Sequence, residues 1–154
     1  MTPAIEVTLR SFDTDSEEQT SAAGEEVASM LAPGDVLLLE GELGAGKTAF
    51  VRGLARGLGL QADEVTSPTF TLIQEYRTPG AGVVLYHADL YRLSPREVDD
   101  LGLGELSEDG ILAVEWPDRW TDPPAFAYRV SIRHLGEHQR SITIGRARPS
   151  HSTR

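Results

Sequence analysis

Gly41-Glu42-Leu43-Gly44-Ala45-Gly46-Lys47-Thr48 satisfies the pattern G-x-x-x-x-G-K-[ST] in full. Glycines in such a run accept backbone torsions and close approaches that side chains would block. Their successive N–H groups turn inward and form a nest for an anion, at a helix N-terminus where the helix dipole is positive. A lysine adds a full positive charge for the outer phosphates, and the following hydroxyl can ligate a Mg²⁺ ion bridging them. Lys47 is the only lysine among 14 basic residues, the other 13 being arginine. The pattern needs a strand before it and a helix after it. Val36-Leu37-Leu38-Leu39-Glu40 reads as a strand buried on both faces, and a helix is expected from Lys47 to about Leu58, closed by Gly59. The stretch from Gly41 through Thr48 to Ala49 is therefore the candidate nucleotide cradle.

A phosphate loop of this kind works with an acid at the end of a buried strand. Two candidates stand in the chain. Val83-Val84-Leu85-Tyr86-His87-Ala88-Asp89 and Ile111-Leu112-Ala113-Val114-Glu115 each end in a carboxylate. Parallel strands beside the loop strand would bring both tips to one edge of the sheet. One acid could serve the metal and the other the attacking water; spacing does not assign them. Thr66-Ser67-Pro68-Thr69 offers hydroxyls that could sense a γ-phosphate, or is simply a proline-bearing turn. Arg92 could steady phosphate charge or form a surface ion pair. Trp116 and His87 read first as packing residues, although His87 shares a strand face with Asp89. No N-K-x-D for guanine occurs. Asp99-Asp100-Leu101-Gly102 fits D-x-x-G but falls in an expected helix.

The elements that must position these groups follow from local signals. Asp13 to Ser16 reads as a turn, with Ser16-Glu17-Glu18-Gln19 a capping box opening a helix to about Leu31. Thr69–Arg77 and Val83–Arg92 are β-rich runs joined by Thr78-Pro79-Gly80-Ala81-Gly82. Ser94-Pro95 starts a short helix that ends near Gly102 and Gly104. Ile111–Glu115 is a buried strand stopped by Pro117. Tyr128–Arg133 and Ser141–Ile144 are expected to form a paired antiparallel end of the sheet. The class is α/β, P-loop NTPase-like: a largely parallel sheet flanked by helices, with antiparallel strands at the edge and the C-terminal end. Residues 1–148 are expected to form one domain and 149–154 a flexible tail.

With 154 residues the chain can bury a core without staples, and it contains no cysteine. That excludes disulfides, thiolate zinc sites and a cysteine nucleophile. It also fits a reducing compartment. Neither a membrane span nor a secretory leader is visible, so a cytoplasmic location with no membrane contact is expected. The formal charge of −10 argues against a wide autonomous grip on nucleic acid. The charge is uneven: residues 1–40 hold nine acids and only Arg10, and residues 128–154 hold six arginines and only Glu137.

Four blocks together carry a family resemblance. Gly41–Thr48, Ser67-Pro68-Thr69-Phe70-Thr71-Leu72, His87-Ala88-Asp89-Leu90-Tyr91-Arg92-Leu93 and Glu115-Trp116-Pro117 resemble, in order and spacing, the TsaE (YjeE) family of bacterial P-loop ATPases. The likeness runs from about Ser16 to Arg140. It implies a Mg²⁺-dependent ATPase serving biosynthesis of threonylcarbamoyladenosine (t6A) in tRNA. The family acts with TsaB and TsaD proteins, which install the group on N6 of adenosine 37; ATP hydrolysis resets that complex, and tRNA is held mainly by the partners. The resemblance further implies that Thr48 and Glu115 ligate magnesium, that Asp89 is the acid near the γ-phosphate, and that Lys47, Asp89 and Glu115 are the catalytic set. Ser67-Pro68-Thr69 matches the switch segment and Trp116 a residue near the nucleotide. An N-terminal acid–threonine segment and a C-terminal glycine approach the nucleotide in the family; here Glu17 to Thr20, with Thr20 the contact, and Gly136, with Arg140 nearby, correspond. Ala88 replaces the phenylalanine common in its block. Two other readings share the loop: a small-molecule kinase, for which Arg129, Arg133 and Arg140 are the clustered lid candidates, and a module whose interface is gated by nucleotide occupancy.

Overall fold

The computed structural model describes residues 4–42, 46–61, 73–78 and 83–149. Three buried strands, β2 (Val36–Glu40), β4 (Val83–Asp89) and β5 (Ile111–Glu115), lie in parallel with β6 (Tyr128–His134). The full seven-stranded sheet has the order β1-β7-β6-β2-β5-β4-β3. Its outer members are antiparallel: β3 (Ile73–Arg77) pairs with β4, and β7 (Arg140–Pro149) joins β6 to the edge strand β1 (Ala4–Thr14). The expected parallel centre and antiparallel end are both present.

The strand alternation divides the core into two layers. Leu37, Leu39, Leu85, Ile111 and Ala113 face α1 (Glu17–Ala28) and α2 (Lys47–Gly57). Val36, Leu38, Tyr86, Ala88, Leu112 and Val114 face the other way, toward α3 (Pro95–Asp99) and α4 (Leu103–Leu106). Helices on both faces are what a buried parallel sheet requires.

Helix α1 is held at an unusually short distance from α2. A Cβ on Gly53 would sit 1.7 Å from the Ser21 carbonyl oxygen, and one on Gly24 would sit 2.1 Å from that of Phe50. Only glycine at both positions permits the approach, and it brings Thr20 of α1 to the start of α2. The capping at Ser16 differs slightly from the expected box. Ser16 Oγ accepts from the Gln19 N–H, but the Gln19 side chain accepts from Asp15 N–H rather than from Ser16. At Ser94 the box is complete, with Glu97 as its reciprocal partner.

Several boundaries move. Helix α1 ends at Ala28, not Leu31, because Met30 and Leu31 close in turns on Val27 and Ala28. Strand β4 ends at Asp89, not Arg92; Leu93 N–H bonds back to the Leu90 carbonyl and turns the chain. One expected helix after Ser94 is two, divided at Gly102, whose φ is +69°. Strand β1 was not expected, although Val7 and Phe12 of its run are apolar among polar neighbours. A register shift between Thr8 and Arg10 breaks the period-two pattern there. β7 continues beyond Ile144 to Pro149 because β1 supplies its partner along the whole length.

Candidate active site

The end of β2 delivers the chain into the glycine-rich run, of which Gly41, Glu42 and Gly46 to Ala49 are described; Leu43, Gly44 and Ala45 lie outside the described residues. Gly46 caps α2 in the left-handed region at φ +108°, with no side-chain hydrogen bond to the helix end. The first bond closing the helix is Phe50 N–H to the Gly46 carbonyl at 2.9 Å. Helix geometry therefore leaves the N–H groups of Gly46, Lys47, Thr48 and Ala49 without acceptors inside α2. N–H groups left free at a helix N-terminus suit an anion.

Lys47 is 5% exposed. Its Nζ donates to the Gly41 carbonyl at 2.8 Å, lies 3.9 Å from Glu115 Oε1 and sits 4.3 Å from the centre of the Trp116 ring. Burial lowers the pKa of the ammonium from its usual range, and the carboxylates of Glu115 and Asp89 partly offset that. Asp89 and Glu115 are register partners at the tips of β4 and β5. The parallel pairing therefore brings the two sequence-selected acids together beside Lys47. Burial raises the Asp89 carboxyl; a hydrogen bond from the Tyr91 N–H to Oδ1 at 2.9 Å acts against that, and nearby Glu115 adds to it.

Trp116 carries a feature invisible in sequence. It is the one non-glycine residue with positive φ among the described residues, at φ 59° and ψ 53°. The following proline favours an extended conformation instead. The strain of a left-handed tryptophan persists only where surroundings hold it. Here the ring is held between Lys47 and Tyr91, whose ring centre is 4.9 Å away. Below it a cavity of about 410 Å³ opens at the tips of β2 and β5, between Gly41, Glu42 and Pro117.

The second group of candidates converges on Gly46 from the other side. A Cβ there would lie 3.5 Å from Thr20 Cγ2 and 3.9 Å from Arg140 Nε. Thr20 is buried, and its Oγ1 shares a 2.9 Å hydrogen bond with Thr14 Oγ1. A cavity of about 310 Å³ adjoins this side, lined by Asp13, Thr14, Asp15 and Gln19 from the β1–α1 segment and by Leu135, Gln139 and Arg140. Gly136 sits in the exposed β6–β7 turn and does not line that cavity; its carbonyl accepts from Arg140 at 3.5 Å. Arg129 is engaged with Glu40 at 2.6 Å, at the base of the glycine run. Thr66 to Thr69 lie outside the described residues.

His87 is the residue that sequence reasoning passed over. It is fully buried, and its Nε2 lies 2.7 Å from Glu115 Oε2. The spacing from Asp89 put it on the right face, but only the β4–β5 register shows that it reaches Glu115.

A family model described as "Threonylcarbamoyl adenosine biosynthesis protein TsaE" matches residues 14–142. The chain belongs to the TsaE family. A TsaE from Bacillus subtilis, named as a tRNA threonylcarbamoyladenosine biosynthesis protein, is 44% identical over 130 residues, covering 82% of this chain and 79% of the relative. The TsaE of Aquifex aeolicus, of the same name, is 41% identical over 139 residues, covering 90% and 97%. The crystal structure of Bacillus subtilis YdiB superposes with a TM-score of 0.72 at 36% identity, covering 95% of this chain and 88% of that one. The TsaE family is thus named for the pathway that makes threonylcarbamoyladenosine in tRNA. Among the described residues no helix is long and apolar enough to cross a membrane.

Proposed function

We propose that this chain is a Mg²⁺-dependent ATPase that sustains repeated threonylcarbamoylation of N6 of tRNA adenosine 37 by a partner complex of TsaB and TsaD type, without transferring the group itself. One observation carries the catalytic part: a buried lysine at an uncapped helix N-terminus lies beside two carboxylates on adjacent parallel strands. The N–H groups of residues 46–49 suit a phosphate chain, and Lys47, now bonded to the Gly41 carbonyl, is within reach of its outer charge. The ring of groups at Gly46, with Thr20 and Arg140, suits the nucleoside end.

The residues also fit magnesium. Among the described residues no three histidines or acids form a cage that would hold a metal alone. Magnesium bound with a nucleotide needs only one or two protein oxygens, phosphate and water supplying the rest. The Thr48 hydroxyl and the Glu115 carboxylate are the oxygens that would hold it. Bound there, the ion would neutralise charge on the phosphates as it develops. Asp89 is then the acid for the attacking water: its raised pKa makes it a better proton acceptor, and the Tyr91 N–H fixes its orientation. The acceptor is read as water because Arg129, one of the three lid candidates, is paired with Glu40, and Arg140 lies at the nucleoside side of Gly46.

The test is Mg²⁺-ATP hydrolysis by the purified chain alone and with TsaB and TsaD. Strong stimulation by the partners is expected. Solid activity alone with no stimulation would overturn the partner role and revive the kinase reading. No hydrolysis in either case would overturn the ATPase reading.

A further inference from the structure

A polar atom buried without a partner costs the fold free energy, and in a native structure it calls for a physical reason. His87 is fully buried, and its Nδ1 has no hydrogen-bond partner among the described residues. An apolar side chain at this position would remove that cost but would leave the buried Glu115 Oε2 without its partner. What the imidazole supplies instead is Nε2, 2.7 Å from Glu115 Oε2. A carboxylate oxygen accepts, so Nε2 is the donor in this contact, and Nδ1 is left without a partner in the core.

The register explains how the contact arises. His87 is paired with Ala113, and Asp89 with Glu115. Ala113 carries only a methyl group, which leaves room for the imidazole to reach diagonally to Glu115 on the neighbouring strand. The two oxygens of Glu115 are thereby divided. Oε2 is tied to His87, and Oε1 faces Lys47 at 3.9 Å. A carboxylate held by one oxygen presents the other in a single direction.

We propose that His87 is a positioning residue whose Nε2–H fixes the Glu115 carboxylate so that Oε1 is presented to a nucleotide-bound magnesium. The inference rests on the Mg²⁺-ATPase reading. His87 touches neither nucleotide nor metal; it acts through Glu115. Partners of this kind to a metal ligand are worth about 10–100-fold in metal affinity or activity.

The test compares binding of a non-hydrolysable ATP analogue by calorimetry, in EDTA and in Mg²⁺, for the wild-type chain and its His87 variants. His87→Leu, which strips the buried Glu115 carboxylate of its partner, is expected to melt lower than wild type but to bind the analogue normally in EDTA. Most of the affinity gained on adding Mg²⁺ should be lost, by up to about 10–100-fold. His87→Gln, whose amide nitrogen has nearly the reach of Nε2, should recover that gain. His87→Asn, one methylene shorter, should not, and the Gln–Asn contrast keeps the test decisive if the leucine variant fails to fold. A wild-type Mg²⁺ gain in all variants, or equal loss in Gln and Asn, would overturn the inference alone. A wild-type chain with no Mg²⁺ gain would overturn the ATPase reading and this inference together.

Discussion

The strands β2, β4 and β5 carry two faces built to different rules. Toward α3 and α4 they present Val36, Leu38, Tyr86, Ala88, Leu112 and Val114, and the layer there is closed by Leu90, Val98 and Leu103. Toward α1 and α2 the same strands carry an equally apolar set up to Leu39, Leu85 and Ala113. At the strand tips that second face changes character. Lys47, His87 and Glu115 are all buried there, and Asp89 is half-buried. Burying charge costs free energy unless it is paired and hydrogen-bonded. The fold accepts that cost at one end of one face, where the helix that starts the layer offers its N-terminus. The first face is apolar throughout; the second gathers buried charge at the strand tips.

The sharpest way to break the comparison is Lys47→Ala. Hydrolysis should fall below about a hundredth of the wild-type rate, as when a group that stabilises transition-state charge is removed. Circular dichroism should show the fold intact. Wild-type-like turnover would mean that the buried charges are structural after all. On the opposite face, Leu112→Ala should cost about 2–5 kcal/mol in urea unfolding, because Leu112 is fully buried. The hydrolysis rate per folded molecule should be unchanged. A selective loss of rate would show that the two faces are not separable.

A subtler effect concerns Asp89. Its pKa is raised in the folded state, first by burial, so the folded chain favours the protonated acid. That contribution is present below the ordinary carboxylate pKa and is lost as pH rises through the folded value. Asp89→Asn should therefore melt higher than wild type at pH 7, and the gap should close as the solution is acidified below about pH 4. A gap that widens in acid would contradict the assigned cause. The smallest effect is expected far from the tips. Arg10 and Glu26 form an ion pair, with both side chains 40–50% exposed. Arg10→Ala should cost less than about 1 kcal/mol and leave hydrolysis unchanged.

Much of this molecule is legible in the order of its residues. The continuous apolar runs 36–40 and 111–115 announce buried strands, since a sheet covered on both faces has no polar side. The glycine run followed by Lys47 announces the start of α2, where Gly46 takes a left-handed φ that glycine favours. The reach of local signals ends where partners are chosen. β1 escaped notice because its bulge interrupts the alternation, and it is stabilised by β7 from the far end of the chain. Strand β4 was read past Asp89 because Leu90 and Leu93 are as apolar as strand residues. In the fold they serve the core from a turn.

Residue types and spacing by themselves determined the α/β class, the phosphate-type loop with its single lysine, and the two candidate acids. These follow from local backbone preferences and from the periodicity of burial, which act over a few residues. Only the tertiary structure decided that Asp89 and Glu115 meet in register, that His87 holds Glu115, that Thr20 and Arg140 close on Gly46, and that Trp116 is forced into a left-handed turn over Lys47. Those contacts join segments tens of residues apart. Their energies depend on register, helix approach and exclusion of water, none of which a local stretch of chain can specify.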